Sequence, residues 1–191
     1  DLVTGPLPAA MDSGELLAFL AKRKGLLDGV CVTGGEPLLR PGLEGLLEEI
    51  KALGFPIKLD TNGTNPAMLK ALLQERVLDY VAMDIKNSPS RYAESCGGID
   101  CLSRVRESAA LLMDGTVDYE FRTTVCAPLH TPRDMEELGR WLKGARRYFL
   151  QPFADSGALV GGGVSPPSED EIKALRDSVL PYIPNTQIRG Q

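Results

Sequence analysis

The chain has 191 residues, 43% hydrophobic and 25% charged, with a formal net charge of -5. These values suit an ordinary globular domain with a real core and argue against a general nucleic-acid binder, which shows a basic excess. No apolar run approaches the roughly 20 residues of a membrane helix, and no signal peptide is visible.

In chain order, Ser13 to Lys24 has helical spacing. Asp28 to Thr33 is a short apolar strand ending at two glycines. Pro41 to Leu53 places Leu43, Leu46, Leu47 and Ile50 on one helical face, stopped by Gly54. Phe55 to Asp60 is strand-like, and Asn65 to Gln74 is a helix with Asn65 as cap and Pro66 in first position. Leu78 to Ile85 is the next strand. Ser88 to Gly98 is less regular, and Asp100 to Met113 reads as a helix. Val117 to Val125 is a strand rich in β-formers, followed by a helix from Thr131 to Lys143. Arg147 to Gln151 is a strand, Ala154 to Pro167 a glycine- and proline-rich loop, and Ser168 to Val179 the last helix. Thr186 to Arg189 is a candidate edge strand.

This alternation predicts an α/β fold, a parallel sheet covered by helices, in one domain over residues 1–191. A chain that enters on a helix implies a preceding strand upstream. Asp1 rather than methionine at the first position fits that expectation.

Four cysteines, Cys31, Cys96, Cys101 and Cys126, form no C-x-x-C pair. The expectation is four reduced, mostly buried thiols in a cytoplasmic protein. Their spacings of 65, 5 and 25 do not make a compact cluster-binding loop. His130, the only histidine, sits between prolines and reads as a turn residue. Trp141 reads as core or interface. Lys143, Arg146 and Arg147 read as a solvated basic helix end.

Glu36, Asp60 and Asp84 are each 24 residues apart, and each ends or follows a strand. That period is one strand-helix unit. In a parallel α/β barrel the carboxyl ends of successive strands converge on one mouth, where chemistry is placed. Lys86, Arg122 and Gln151 join the same rim. The set suits a zwitterionic ligand with an amine, a carboxylate and hydroxyls. Gly34 and Gly35 expose backbone to such a ligand. Asp60-Thr61-Asn62-Gly63 also has the composition of a simple tight turn.

The ordered set VTGGEPLL (32–39), LDTNGTNP (59–66), YVAMDIK (80–86) and FRTTV (121–125) resembles radical S-adenosylmethionine (SAM) enzymes. Among them it is most similar to the activating enzymes of glycyl-radical enzymes, in particular the anaerobic ribonucleoside-triphosphate reductase activating type. The resemblance implies a partial (β/α)6 TIM-like barrel. It implies that Gly34, Gly35 and Glu36 hold the methionine amino group, and that Asp84 and Lys86 meet the ribose and methionine end. Arg122 would pair with the methionine carboxylate, and Asp60 and Thr61 would lie by a monovalent cation. Related activating enzymes carry a histidine after a Pro-aromatic pair. Here Ala154 follows Pro152-Phe153, and Gln151 is the candidate replacement.

The resemblance further implies a [4Fe-4S] cluster held by a C-x-x-x-C-x-x-C loop. That loop is not in these 191 residues, and the expectation is that it lies upstream with the first strand. The implied partners are a glycyl-radical enzyme as protein substrate and a reductant such as flavodoxin or ferredoxin, with no nucleic acid and no membrane. The 191 residues alone are expected to be inactive. Two other readings stay open on the residues: a Mg²⁺-dependent enolizing lyase using the three carboxylates, and a non-catalytic binding module.

Overall fold

The computed structural model describes residues 11–154 and 163–190. Six parallel strands form one sheet in sequence order: β1 Val30–Val32, β2 Ile57–Thr61, β3 Tyr80–Asp84, β4 Asp118–Val125, β5 Tyr148–Pro152 and β6 Thr186–Ile188. Every neighbouring pair is parallel. β1 and β6 are the edges, so the α/β sheet is an open, partial barrel rather than a closed one. The candidate edge strand at the C-terminus is therefore the sixth member of the sheet.

The helices are α1 Ser13–Ala21, α2 Leu43–Ala52, α3 Pro66–Gln74, the single turn α4 Tyr92–Ser95, α5 Leu102–Asp114, α6 Pro132–Trp141 and α7 Glu169–Val179. Their starts follow the capping chemistry. Asn65 accepts from Met68 N–H ahead of Pro66, and Thr131 forms a reciprocal capping box with Asp134 behind Pro132. Helices α1, α2 and α6 are shorter than their sequence reading, and α6 ends at Trp141. α1 ends at Ala21 and gives way to turns through Leu26. α2 starts at Leu43 because Gly42, at φ +73°, stands outside the helix as its cap. Among the described residues, no helix is long and apolar enough to cross a membrane.

The pleat sorts the chemistry. Successive strand residues face opposite sides, and in β2 Ile57, Leu59 and Thr61 are buried while Lys58 and Asp60 are half-buried. The buried side packs with Leu47, Ile50, Leu69, Leu72 and Leu138 of the helices in one continuous core. The register aligns Cys31 with Lys58, Asp60 with Ala82, and Asp84 with Arg122. Paired residues share a face, so the polar residues of β1 to β4 gather on the side opposite the helical layer. This also corrects the cysteine expectation. Only Cys101 is buried. Cys96 and Cys126 are half-buried, and Cys31 is exposed because its register puts it on the polar face.

Candidate functional site

Each strand end delivers its side chain through a short, locally determined turn. After β1, Gly34 and Gly35 take φ +95° and +56°, which disfavours any side chain, and nothing lies within 4 Å of where a Cβ would stand. The backbone there is bare and open. Glu36 then folds across to the β2 turn. It accepts from Thr61 Oγ1 at 2.6 Å, from Asn62 N–H at 2.7 Å and from Leu38 N–H at 3.2 Å. The β2 turn closes on itself, with Gly63 N–H donating to Thr61 Oγ1 at 3.1 Å and Thr64 N–H to Asn62 Oδ1 at 2.9 Å. The Asp-Thr-Asn-Gly stretch is thus a tight turn and a piece of the rim at once.

Arg122, on β4, joins the other two acids. Its Nε donates to Asp84 and its Nη1 to Asp60 Oδ2 at 3.0 Å. Lys58 Nζ reaches Asp60 Oδ1 at 2.6 Å, and Lys86 Nζ reaches Asp84 Oδ2 at 3.0 Å. The result is a chain of alternating charge, Lys58–Asp60–Arg122–Asp84–Lys86. Burial works to raise the Asp60 pKa, but the Lys58 hydrogen bond and the Arg122 guanidinium outweigh it and hold the carboxyl below its ordinary range. Burial likewise works against the Arg122 charge, and the hydrogen bonds and negative charges of Asp84 and Asp60 together more than offset it.

A cavity of about 240 Å³ opens among Thr33, Gly34, Gly35, Asp60, Thr61, Asn62, Asp84, Lys86 and Arg122. Seven of the nine residues named from the sequence line it. Glu36 stands behind it, engaged by the turns it links, and Gln151 on β5 is not in its wall. A larger cavity of about 630 Å³ lies at the opposite end of the sheet, around Asp79 and Asp118, where β3 and β4 begin. In parallel α/β barrels that end serves stability, whereas chemistry sits at the carboxyl ends.

The sequence reading missed Thr33, Asn62 and Lys58. The first two flank predicted site residues. Lys58 is two residues before Asp60, a period-two signal that placed it on the same face. One level deeper, Glu120 accepts from Arg189 at 2.9 and 2.8 Å and from Tyr80 at 2.8 Å, while the Arg189 guanidinium lies 4.1 Å from the Phe149 ring centroid. Glu120 had the same period-two signal relative to Arg122, and Arg189 had none. His130 is a clamp: its Nε2 is 2.9 Å from the Lys86 carbonyl, and its Nδ1 is 3.1 Å from Cys126 N. The clamp fixes the segment that carries Lys86. Trp141 packs against the core, edge-on to Tyr92.

The rim has the donor set for an amino-acid zwitterion. Bare glycine backbone and two carboxylates are groups that could receive an ammonium, and Lys86 and Arg122 are cations that could receive a carboxylate. Among the described residues no group of three His, Cys, Asp or Glu side chains could hold a metal ion, so these residues do not supply a cluster's ligands.

Residues 8–142 match the sequence profile of the radical SAM superfamily. The chain belongs to the radical SAM superfamily. Its relatives include a Methanocaldococcus jannaschii protein named as a glycyl-radical enzyme activating enzyme, 30% identical over 169 residues, covering 85% of this chain and 70% of the relative. A 7-carboxy-7-deazaguanine synthase of Neisseria meningitidis is 32% identical over 147 residues, covering 76% of this chain and 53% of its own length. The fold matches the crystal structure of a domain of pyruvate-formate lyase-activating enzyme from Bacteroides vulgatus, with a TM-score of 0.66 and 18% identity over 86% of this chain and all of that one. Superfamily membership implies SAM and a [4Fe-4S] cluster. The residues present fit the amino-acid end of SAM and not the cluster.

Proposed function

We propose that the chain is the SAM-binding barrel of an activating enzyme that cleaves SAM reductively and generates a glycyl radical on a partner of the anaerobic ribonucleotide reductase or pyruvate formate-lyase type. The observation that carries the SAM part is the cavity that brings Gly34, Gly35, Asp60, Asp84, Lys86 and Arg122 together from four successive strands. The 30% identical relative supports the activating role. When bound, a [4Fe-4S] cluster would supply the electron for cleavage; its three thiolates are not provided by the four cysteines of this chain.

The chain's own residues bind and orient. The open backbone of Gly34 and Gly35 receives the methionine amino group beside Glu36, which keeps the turn in place. Arg122 spends Nε and Nη1 on Asp84 and Asp60, and Nη2 is the donor left for the methionine carboxylate. Asp84 and Lys86 face the ribose and methionine end. Asp60 and Thr61 are engaged by Lys58, Arg122 and Glu36 and so hold the rim. Gln151 lies on the next strand, within the open concave face that the remainder of SAM would occupy. The shared Arg122 also speaks against the magnesium-dependent lyase reading, which needs Asp60 and Asp84 for a metal. The Ala154 to Pro167 loop falls largely outside the described residues.

The 7-carboxy-7-deazaguanine synthase relatives favour one second reading, a radical SAM reaction on a small heterocycle. The deciding experiment incubates the protein expressed from its complete reading frame, reconstituted with iron and sulfide, with SAM, a reductant and a candidate glycyl-radical enzyme. Electron paramagnetic resonance should show a glycyl radical on the partner. SAM cleavage without any glycyl radical, stimulated instead by a small heterocyclic substrate, would favour the second reading.

A further inference from the structure

Cys96 and Cys101 take no part in the rim. Cys96 follows α4 and Cys101 precedes α5, yet their Sγ atoms are 3.5 Å apart. The loop between them folds back through Gly97 and Gly98 at φ +64° and +83°, backbone that glycine adopts without penalty. Cys96 is half-buried and reachable, while Cys101 is 4% exposed. Cys31 and Cys126 have no such sulfur neighbour among the described residues.

We propose that Cys96 and Cys101 are a dithiol site that oxidises to an intramolecular disulfide, with a low-molecular-weight disulfide as oxidant. A disulfide needs an S–S distance of about 2.05 Å, so the sulfurs must approach by roughly 1.5 Å. Rotation of the half-exposed Cys96 side chain on its glycine-flanked backbone supplies that movement. The reachable Cys96 thiolate attacks one sulfur of the oxidant, forming a mixed disulfide and expelling one small thiolate. Cys101 then attacks Cys96 Sγ as thiolate, closing the ring and expelling the second. The two thiol protons pass to the two small thiolates, so two protein thiols are oxidised and one small disulfide is reduced. Burial and the neighbouring Cys101 push the Cys96 thiol up to about 11, which slows the first step at neutral pH and favours the dithiol under reducing conditions.

The site is tied to the rim. Lys86 N–H donates to Tyr92 Oη at 3.3 Å, and Asn87 Nδ2 donates to Ser95 Oγ at 2.9 Å. Ring closure at the end of α4 therefore bears on the segment that presents Lys86. The inference stands independently of which reaction the barrel catalyses.

The test uses the wild-type chain, incubated with excess oxidised glutathione under nitrogen, quenched with acid, and alkylated with N-ethylmaleimide in denaturant. Trypsin cutting after Arg91 and Arg104 leaves Cys96 and Cys101 on one peptide. That peptide should carry two labels before oxidation, none after it and no glutathione, and two labels again after dithiothreitol. Two labels surviving oxidation, a stable glutathione adduct on Cys96, or a disulfide to another cysteine would each overturn the proposal. In Cys96→Ser, Cys101 should remain fully alkylated under the same conditions.

Discussion

Replacing Arg122 by glutamine removes the cation between Asp60 and Asp84. The Arg122 side chain is 17% exposed and Asp60 13%, so this is not a surface pair worth a fraction of a kilocalorie. Two charge-assisted hydrogen bonds are lost, each with a ceiling of about 1.5–3 kcal/mol. Asp60 retains Lys58 at 2.6 Å and Asp84 retains Lys86 at 3.0 Å. These partners keep the carboxylates from being stranded and bring the expected loss at neutral pH to about 2–3 kcal/mol. The loss has a predictable pH dependence. Asp60 is held below its ordinary carboxylate range when folded. Its contribution is therefore complete above the unfolded pKa of about 3.9 and disappears as pH falls through the lowered folded value. Urea denaturation of wild type and Arg122→Gln should show the full difference at about pH 7 and a clearly smaller one near pH 3. Arg122→Lys, which keeps the charge but not the fork, should fall between the two. A difference below about 0.5 kcal/mol, or one equal at both pH values, would refute the account of Arg122 as the bridge of the rim.

Glu36→Gln should cost about 1–2 kcal/mol in urea denaturation, since an amide cannot accept all three bonds that tie the β1 turn to the β2 turn. Gly63→Ala should cost about 1–3 kcal/mol. Gly63 has φ +73°, which strains any side chain, and a Cβ there would displace the terminal methyl of buried Met83. His130→Ala should cost about 1–3 kcal/mol by leaving the Lys86 carbonyl and Cys126 N–H without their partner, and hydrogen exchange should rise around residues 85–88. Gly34→Ala should cost about 1–2 kcal/mol from the strain at φ +95°, with no clash added because the space is open. It should weaken binding of SAM to the reconstituted full-length protein by tenfold or more, measured by equilibrium dialysis.

Much of this architecture was legible because parallel α/β chains write their topology locally. Short apolar runs, proline-led caps and glycine stops marked the strands and helices, and the 24-residue period placed Asp60 and Asp84 at one mouth. What the period could not show was how the acids are spent. Glu36 shares the spacing but turns toward Thr61 and Asn62, because the positive-φ glycines before it redirect the chain. Cys31 read as a buried strand residue. Its exposure depends on the register with Lys58, a nonlocal fact. Arg189 reaches Glu120 across two strands, and the proximity of Cys96 and Cys101 depends on two left-handed glycines. Such contacts arise from folding in three dimensions and leave no periodic trace.

The most direct test of the central claim, that this barrel orients SAM for reductive cleavage, is product analysis with the protein expressed from its complete reading frame. It would be reconstituted anaerobically with iron and sulfide, reduced with dithionite and supplied with SAM. The account predicts 5′-deoxyadenosine and methionine in equal amounts, falling sharply in Arg122→Gln. Intact SAM after prolonged incubation of a protein that carries a reduced [4Fe-4S] cluster would contradict it.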